Sequence, residues 1–265
     1  MLDTAPELPE AGSVSKPANP LPDMSRWAFA AFRDVLAALP PDMGEADVVR
    51  DELRLFDDGR VALYYAPFDY VNEHARVILM GITPGRFQYW KACVVARDGI
   101  AAGLPEVEIL RRVKESASFS GPMRKHLVTM LDGIGLAGAL GLATSASLFD
   151  ADAKHLFSTS AVSFPVFVRG ENYTGSTPRL LGHPVLRSVA ETFFAERVNR
   201  VPGALIVPLG KVASEVAEHL ASRNMLDRRR LLVGFPHPSG GNGYRVRDYN
   251  KNRDALARGV REWFG

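Results

Sequence analysis

In Val77-Ile78-Leu79-Met80-Gly81-Ile82-Thr83-Pro84-Gly85, an apolar run of four breaks into a loop of glycine and proline. A run this short suits a strand covered on both faces better than a helix. The pattern recurs downstream. Ala204 to Leu209 and Leu231 to Phe235 read as buried strands, and His155 to Ser163 is a further strand candidate. Helical stretches separate them: Glu106 to Glu115, Pro122 to Leu136, Pro184 to Asn199, Lys211 to Ser222 and Asp254 to Phe264. Nearer the N-terminus, Arg60 to Tyr65 reads as a short strand. Ser25 is read as the cap of a helix from Arg26 to about Leu39, which Pro40-Pro41 stops. Strands alternating with helices predict an α/β fold: three layers, α/β/α, around a central four-stranded, mostly parallel sheet. Ligands of such sheets sit beyond the carboxyl ends of the strands.

The chain has 265 residues, enough for one such domain with additions. Residues 1–23, rich in Pro, Ala, Glu and Ser without periodicity, read as a disordered tail, and 24–265 as a single domain. No apolar run approaches the roughly 20 residues that span a bilayer. The N-terminus lacks the basic start and apolar stretch of a signal peptide. A single cysteine, Cys93, can form neither an internal disulfide nor a thiolate cluster. A cytoplasmic protein with no metal, no cofactor and no membrane partner is therefore expected. The net charge is +2, but residues 1–25 carry Asp3, Glu7, Glu10 and Asp23 against Lys16, leaving +5 for the remainder. Arg245, Arg247, Lys251, Arg253, Arg258 and Arg261 make the C-terminal stretch basic. That face suits phosphate contacts or an ordinary solvated helix equally.

Two segments that follow strands stand out. Gly81-Ile82-Thr83-Pro84-Gly85 follows the first, and His237-Pro238-Ser239-Gly240-Gly241-Asn242-Gly243 follows Leu231 to Phe235. Glycines let backbone amides approach a ligand, and prolines stiffen the loop. A histidine at a strand end can donate to an oxygen that gains charge.

Taken together, the two segments resemble motifs A and B of the uracil-DNA glycosylase superfamily. Ser118-Phe119-Ser120-Gly121-Pro122 is similar to the aromatic segment of the thermophilic-type members, and Thr159-Ser160-Ala161-Val162 to their T-N-A-V strand end. Ile206 to Ala213, through Gly210 and Lys211, resembles their A-L-G-x-x-A turn. Ser163 to Leu180, with Asn172, resembles the single-strand-selective monofunctional branch. The resemblance spans roughly Ala75 to Phe264. It implies a monofunctional enzyme, expected as a monomer, that flips a nucleotide out of single- or double-stranded DNA and hydrolyses the N-glycosidic bond of uracil. His237 would stabilise the departing base, and Thr83 would place the water. Gly81, Ile82, Pro84, Gly85, Phe119, Ser160, Ser163 and Asn172 would hold the base, with Phe119 stacked on it. Ser239, Asn242, Tyr244, Arg245, Arg247, Lys211 and Arg86 would contact DNA, with Tyr244 as the wedge that fills the vacated space.

Three departures qualify the match. Thr83 stands where the family usually has Asp, Asn, Gln or Glu, and a hydroxyl is no base near neutral pH. Asp69 is the carboxylate that could help. Ser160 replaces the asparagine that reads uracil. An insert over residues 86–117, with Arg86, Phe87, Tyr89, Trp90, Lys91, Arg111 and Arg112, reads either as a DNA-facing flap or as a helix added to the body. Two other functions stay open: a binding protein that keeps the base pocket without turnover, and a small-molecule enzyme on a flavodoxin-like sheet.

Overall fold

The computed structural model describes residues 21–265, so the tail expected over 1–23 lies almost wholly outside the described residues. In chain order the elements are α1 (Phe29–Ala37), β1 (Arg54–Asp57), β2 (Val61–Tyr64), β3 (Val77–Gly81), α2 (Arg86–Ala101), α3 (Glu106–Ala117), α4 (Pro122–Gly133), α5 (Leu136–Leu140), β4 (Leu156–Ser160), β5 (Val166–Val168), β6 (Glu171–Asn172), α6 (Pro184–Val189), α7 (Ala195–Asn199), β7 (Leu205–Pro208), α8 (Lys211–Ser222) and α9 (Arg245–Phe264). A π-helical turn, Ala190–Phe194, joins α6 to α7.

The protein is mixed α/β. A parallel sheet has the order β4-β3-β7, with β3 central. Its residues are buried throughout because each face meets a different apolar cluster. Ile78 and Met80 pack with Phe157 and Ile206, whereas Val77 and Leu79 pack with Leu127, Leu131 and Leu256. That is why β3 reads as a continuous apolar run rather than an alternating one.

The expected four-stranded parallel sheet is corrected to three strands. Leu231 makes only a single parallel bridge to Ile206, and the Leu232 amide donates to Ile206 O at 2.8 Å. Gly234, at φ +97°, then turns the chain, and Pro236 has no amide to extend a ladder. A separate antiparallel sheet has the order β1-β2-β5-β6; β2 falls within the strand expected over Arg60 to Tyr65, whereas β1, β5 and β6 were not legible from the pattern. Its strands are two to four residues long and include Arg54, Asp57, Glu171 and Asn172.

Helix ends differ as well. α1 starts at Phe29, capped by Ala28 rather than Ser25, because a turn closed by the Trp27 amide on Met24 O precedes it. α9 starts at Arg245 rather than Asp254. The 86–117 insert is a helical hairpin, α2 against α3, packed on the body. Tyr89, Cys93 and Ala96 are core, and Trp90 Nε1 donates to Met43 O at 2.8 Å. Arg111 and Arg112 pair with Glu108 and Glu115. The flap alternative therefore falls, and only Arg86 and Phe87 of that aromatic and basic set reach the cleft described next.

A candidate base-binding cleft

The parallel strands end side by side. Gly81 of β3 stands in register with Ser160 of β4, and the chain leaving β7 reaches Gly210. Beyond these ends lies a cleft of about 580 Å³, within the usual size of a small-ligand site. It gathers the loop from Gly81 to Arg86 with Phe119, Ser160, Ser163, Asn172, His237 and Ser239. The expected base-holding residues thus converge on one space.

Gly81 allows a close approach. A Cβ there would stand 3.3 Å from Ser160 Oγ and 3.4 Å from Phe119 Cε1, so the Phe119 ring lies across the strand end. Phe119 is 9 % exposed and sits at φ +49°, a conformation that costs a non-glycine residue energy. Its neighbour Ser118 bonds Ser158 through the two hydroxyls at 2.7 Å.

Thr83 does not fit the role of water holder. Its hydroxyl donates to Phe164 O at 2.7 Å and accepts from the Val166 amide at 3.2 Å, tying the loop to β5. The hydroxyl has no proton left to give a water. Asn172 Oδ1 accepts from the Arg86 amide at 2.9 Å, and Gln88 Oε1 from the Gly85 amide at 3.2 Å. Those two amides hold the loop rather than a ligand. Asp69 is likewise committed: it accepts from Tyr65 OH at 2.6 Å and pairs with Arg197 at 3.3 Å. Burial raises its carboxyl above the usual carboxylate range, partly offset by Arg197. It does not line the cleft; Glu45 is the carboxylate that does, among the described residues.

His237 is positioned from several sides. The Ser239 amide donates to its Nδ1 at 3.3 Å, and Asn242 Nδ2 donates to its carbonyl at 3.0 Å. Burial pushes the imidazole below its ordinary value, so the neutral ring prevails near pH 7. With Nδ1 accepting, the ring proton belongs on Nε2, which becomes a donor.

The expected DNA contacts divide. Tyr244 and Lys211 are exposed, and the Arg247 guanidinium lies 4.4 Å over the Tyr244 ring. Arg245 donates to Ser239 O at 2.6 Å and Asn242 to His237 O, so both shape the loop. Arg86 folds back onto Gly170 O and the Phe167 ring.

Sequence reasoning missed Lys114, Ser158, Phe68 and Glu45, all on the cleft wall. Lys114 had a signal: it shares the buried stripe of α3 with Leu110, Val113 and Ala117.

In class, this is a mixed α/β protein with a cleft at the carboxyl ends of a parallel sheet, between a glycine loop, the Phe119 ring and a neutral histidine. The chain belongs to the family of the uncharacterized protein YoxB of Bacillus subtilis (strain 168), with 36% identity over 242 residues, 91% of this chain and 94% of that one. No family model matches the chain, and no solved structure matches it. Among the described residues, no helix is long and apolar enough to cross a membrane.

Proposed function

We propose that this protein takes a base flipped out of DNA into the cleft and hydrolyses the N-glycosidic bond of uracil. The convergence of Gly81, Phe119 and His237 on one cleft carries this reading. Flipping costs a few kcal/mol, and a ring for the base to stack on offsets part of that cost. As the N1–C1′ bond breaks, its electron pair stays on uracil, largely at O2. His237 Nε2–H is the donor suited to that charge. Water adds to the cationic C1′, loses a proton to solvent and leaves an abasic site, so no lysine adduct is needed.

The test is incubation of the full chain with single- and double-stranded oligonucleotides that carry one deoxyuridine, followed by alkali cleavage. Abasic product supports hydrolysis. Tight uracil-dependent binding without product supports a second reading, a base-binding protein without turnover. The committed Thr83 hydroxyl and the single lining carboxylate, Glu45, favour that alternative.

Phe119→Ala is expected to weaken affinity for uracil-containing DNA by about 1–3 kcal/mol while leaving undamaged DNA nearly unaffected, because only a flipped base stacks. Fluorescence anisotropy on both DNAs checks this; equal weakening would make Phe119 purely structural.

Tyr244 stands at the start of α9, 63 % exposed, where a ring could enter a base stack. Tyr244→Ala should slow excision from duplex more than from single strands, since only the duplex leaves a gap to fill. A common factor on both substrates would remove the wedge role. Arg247→Ala should weaken binding to both and lower the salt dependence. Arg245→Ala should instead disturb the Ser239 loop.

A further inference from the structure

Lys114 reaches the cleft wall from α3 with its side chain almost wholly buried, 8 % exposed. Its Nζ rests between two aromatic rings, 5.4 Å from the centroid of Phe68 and 5.3 Å from that of Phe157. It donates one hydrogen bond, to Ser158 O at 2.8 Å. An ammonium has three hydrogens, and a buried one normally uses them. Among the described residues no second acceptor engages Nζ. Asp69, the carboxylate whose charge acts on it, is already paired with Arg197 and bonded by Tyr65. Burial pushes the Lys114 ammonium down to about 7, against the upward pull of Asp69.

The anchor also lies at a useful depth. Ser158 is opposite Leu79, two residues inside the rim formed by Ser160 and Gly81. At roughly 3.3 Å per residue, that is about 7 Å below the mouth. Thr159 Oγ1, next along the strand, is buried on the same wall without a partner. Both groups need an acceptor or donor that the protein does not supply. Lys114 and Ser158 also border a second cavity, of about 380 Å³, with Asn72 and Glu115, but those two side chains bond Leu156 O and Arg111 rather than Nζ.

We propose that Lys114 reads the bound base, donating to a carbonyl oxygen on the edge remote from the sugar, which in uracil is O4. The inference rests on the base-binding reading above and supplies the contact that Ser160 cannot make. It also gives a basis for rejecting cytosine. Against the protonated amine, the 4-amino group of cytosine would turn N–H donors toward a donor, leaving both unpaired in a buried site.

The test uses two single-stranded oligonucleotides, one with deoxyuridine and one with the 2-pyrimidinone deoxynucleoside, which lacks the 4-oxygen and the N3 hydrogen, so the assignment to Lys114 is read from the change between wild type and variant. The full-length wild-type chain is expected to bind the first about 30-fold more tightly, the scale of a lost hydrogen bond from a charged or buried donor. Lys114→Met should reduce that ratio to near one by weakening only the uracil complex. It should also raise the thermal midpoint, because an apolar chain replaces a buried amine. A wild-type ratio near one, or a ratio unchanged in Lys114→Met, overturns the assignment while leaving uracil binding intact. If the wild type neither binds nor cuts uracil DNA, the base-binding reading falls and the assignment with it. Should Lys114→Met not fold, Lys114→Leu is put through the same comparison, and a wild-type ratio near one overturns the assignment in either case.

Discussion

His237→Ala is expected to slow single-turnover uracil release by about 100-fold or more, the scale of one lost oxyanion donor. The effect belongs to bond cleavage, because the charge that Nε2–H meets appears only as the base departs. Ground-state binding should therefore change little, and the loss should fall on the rate at saturating enzyme. The pH profile adds an independent check. Burial lowers the folded pKa of His237 below the ordinary imidazole value. Below about pH 6.5 an unfolded chain therefore takes up a proton that the folded site resists, and stability falls as the pH drops through that window. Protonation of Nδ1 would also break the bond from the Ser239 amide. The wild-type rate should thus hold through neutral pH and fall only on the acid side. In His237→Ala that acid limb should vanish along with most of the rate. A variant with wild-type rates would remove the leaving-group assignment, and the binding-protein reading would then lead.

Legibility in the sequence followed burial. β3 was readable because both its faces are covered, so all its positions had to be apolar. Leu231 to Phe235 carries the same signature but is not a strand: Gly234 and Pro236 spend the segment on a turn, and apolar content alone cannot tell the two apart. Of the antiparallel sheet only β2 was legible, within Arg60 to Tyr65; β6 is Glu171–Asn172, two polar residues paired to β5 by tertiary contact rather than propensity. The cleft was legible where a residue type allows close approach, as at Gly81 under Phe119. It was not legible at Thr83, where a hydroxyl looks available until Phe164 and Val166 are seen to occupy it. At Lys114 the spacing with Leu110, Val113 and Ala117 was the sole signal, and it is outweighed because a charge on a helix ordinarily reads as solvated.

Gly210→Ala is expected to cost about 2–6 kcal/mol of stability, the largest loss among these substitutions, and to displace His237. Gly210 sits at φ +95°, ψ 172°, a region that is essentially restricted to glycine and costs other residues about 1–3 kcal/mol. A Cβ there would also stand 2.9 Å from His237 Cβ and 3.4 Å from its backbone N and Cα, a crowding that typically adds about 1–3 kcal/mol. Neither strain is easily relieved. The Gly210 amide donates to Phe235 O at 2.8 Å, and the His237 carbonyl and ring are held by Asn242 and Ser239. Any relaxation must therefore move the histidine segment away from the β7 turn. The variant should unfold at lower denaturant with an unchanged slope, and its folded fraction should release uracil more slowly than wild type under conditions where both are native. Loss of stability with a full native-state rate would show that His237 needs no exact seat against this glycine. The converse, a slow but fully stable variant, would mean that the backbone relaxes and that the alanine methyl displaces the imidazole alone.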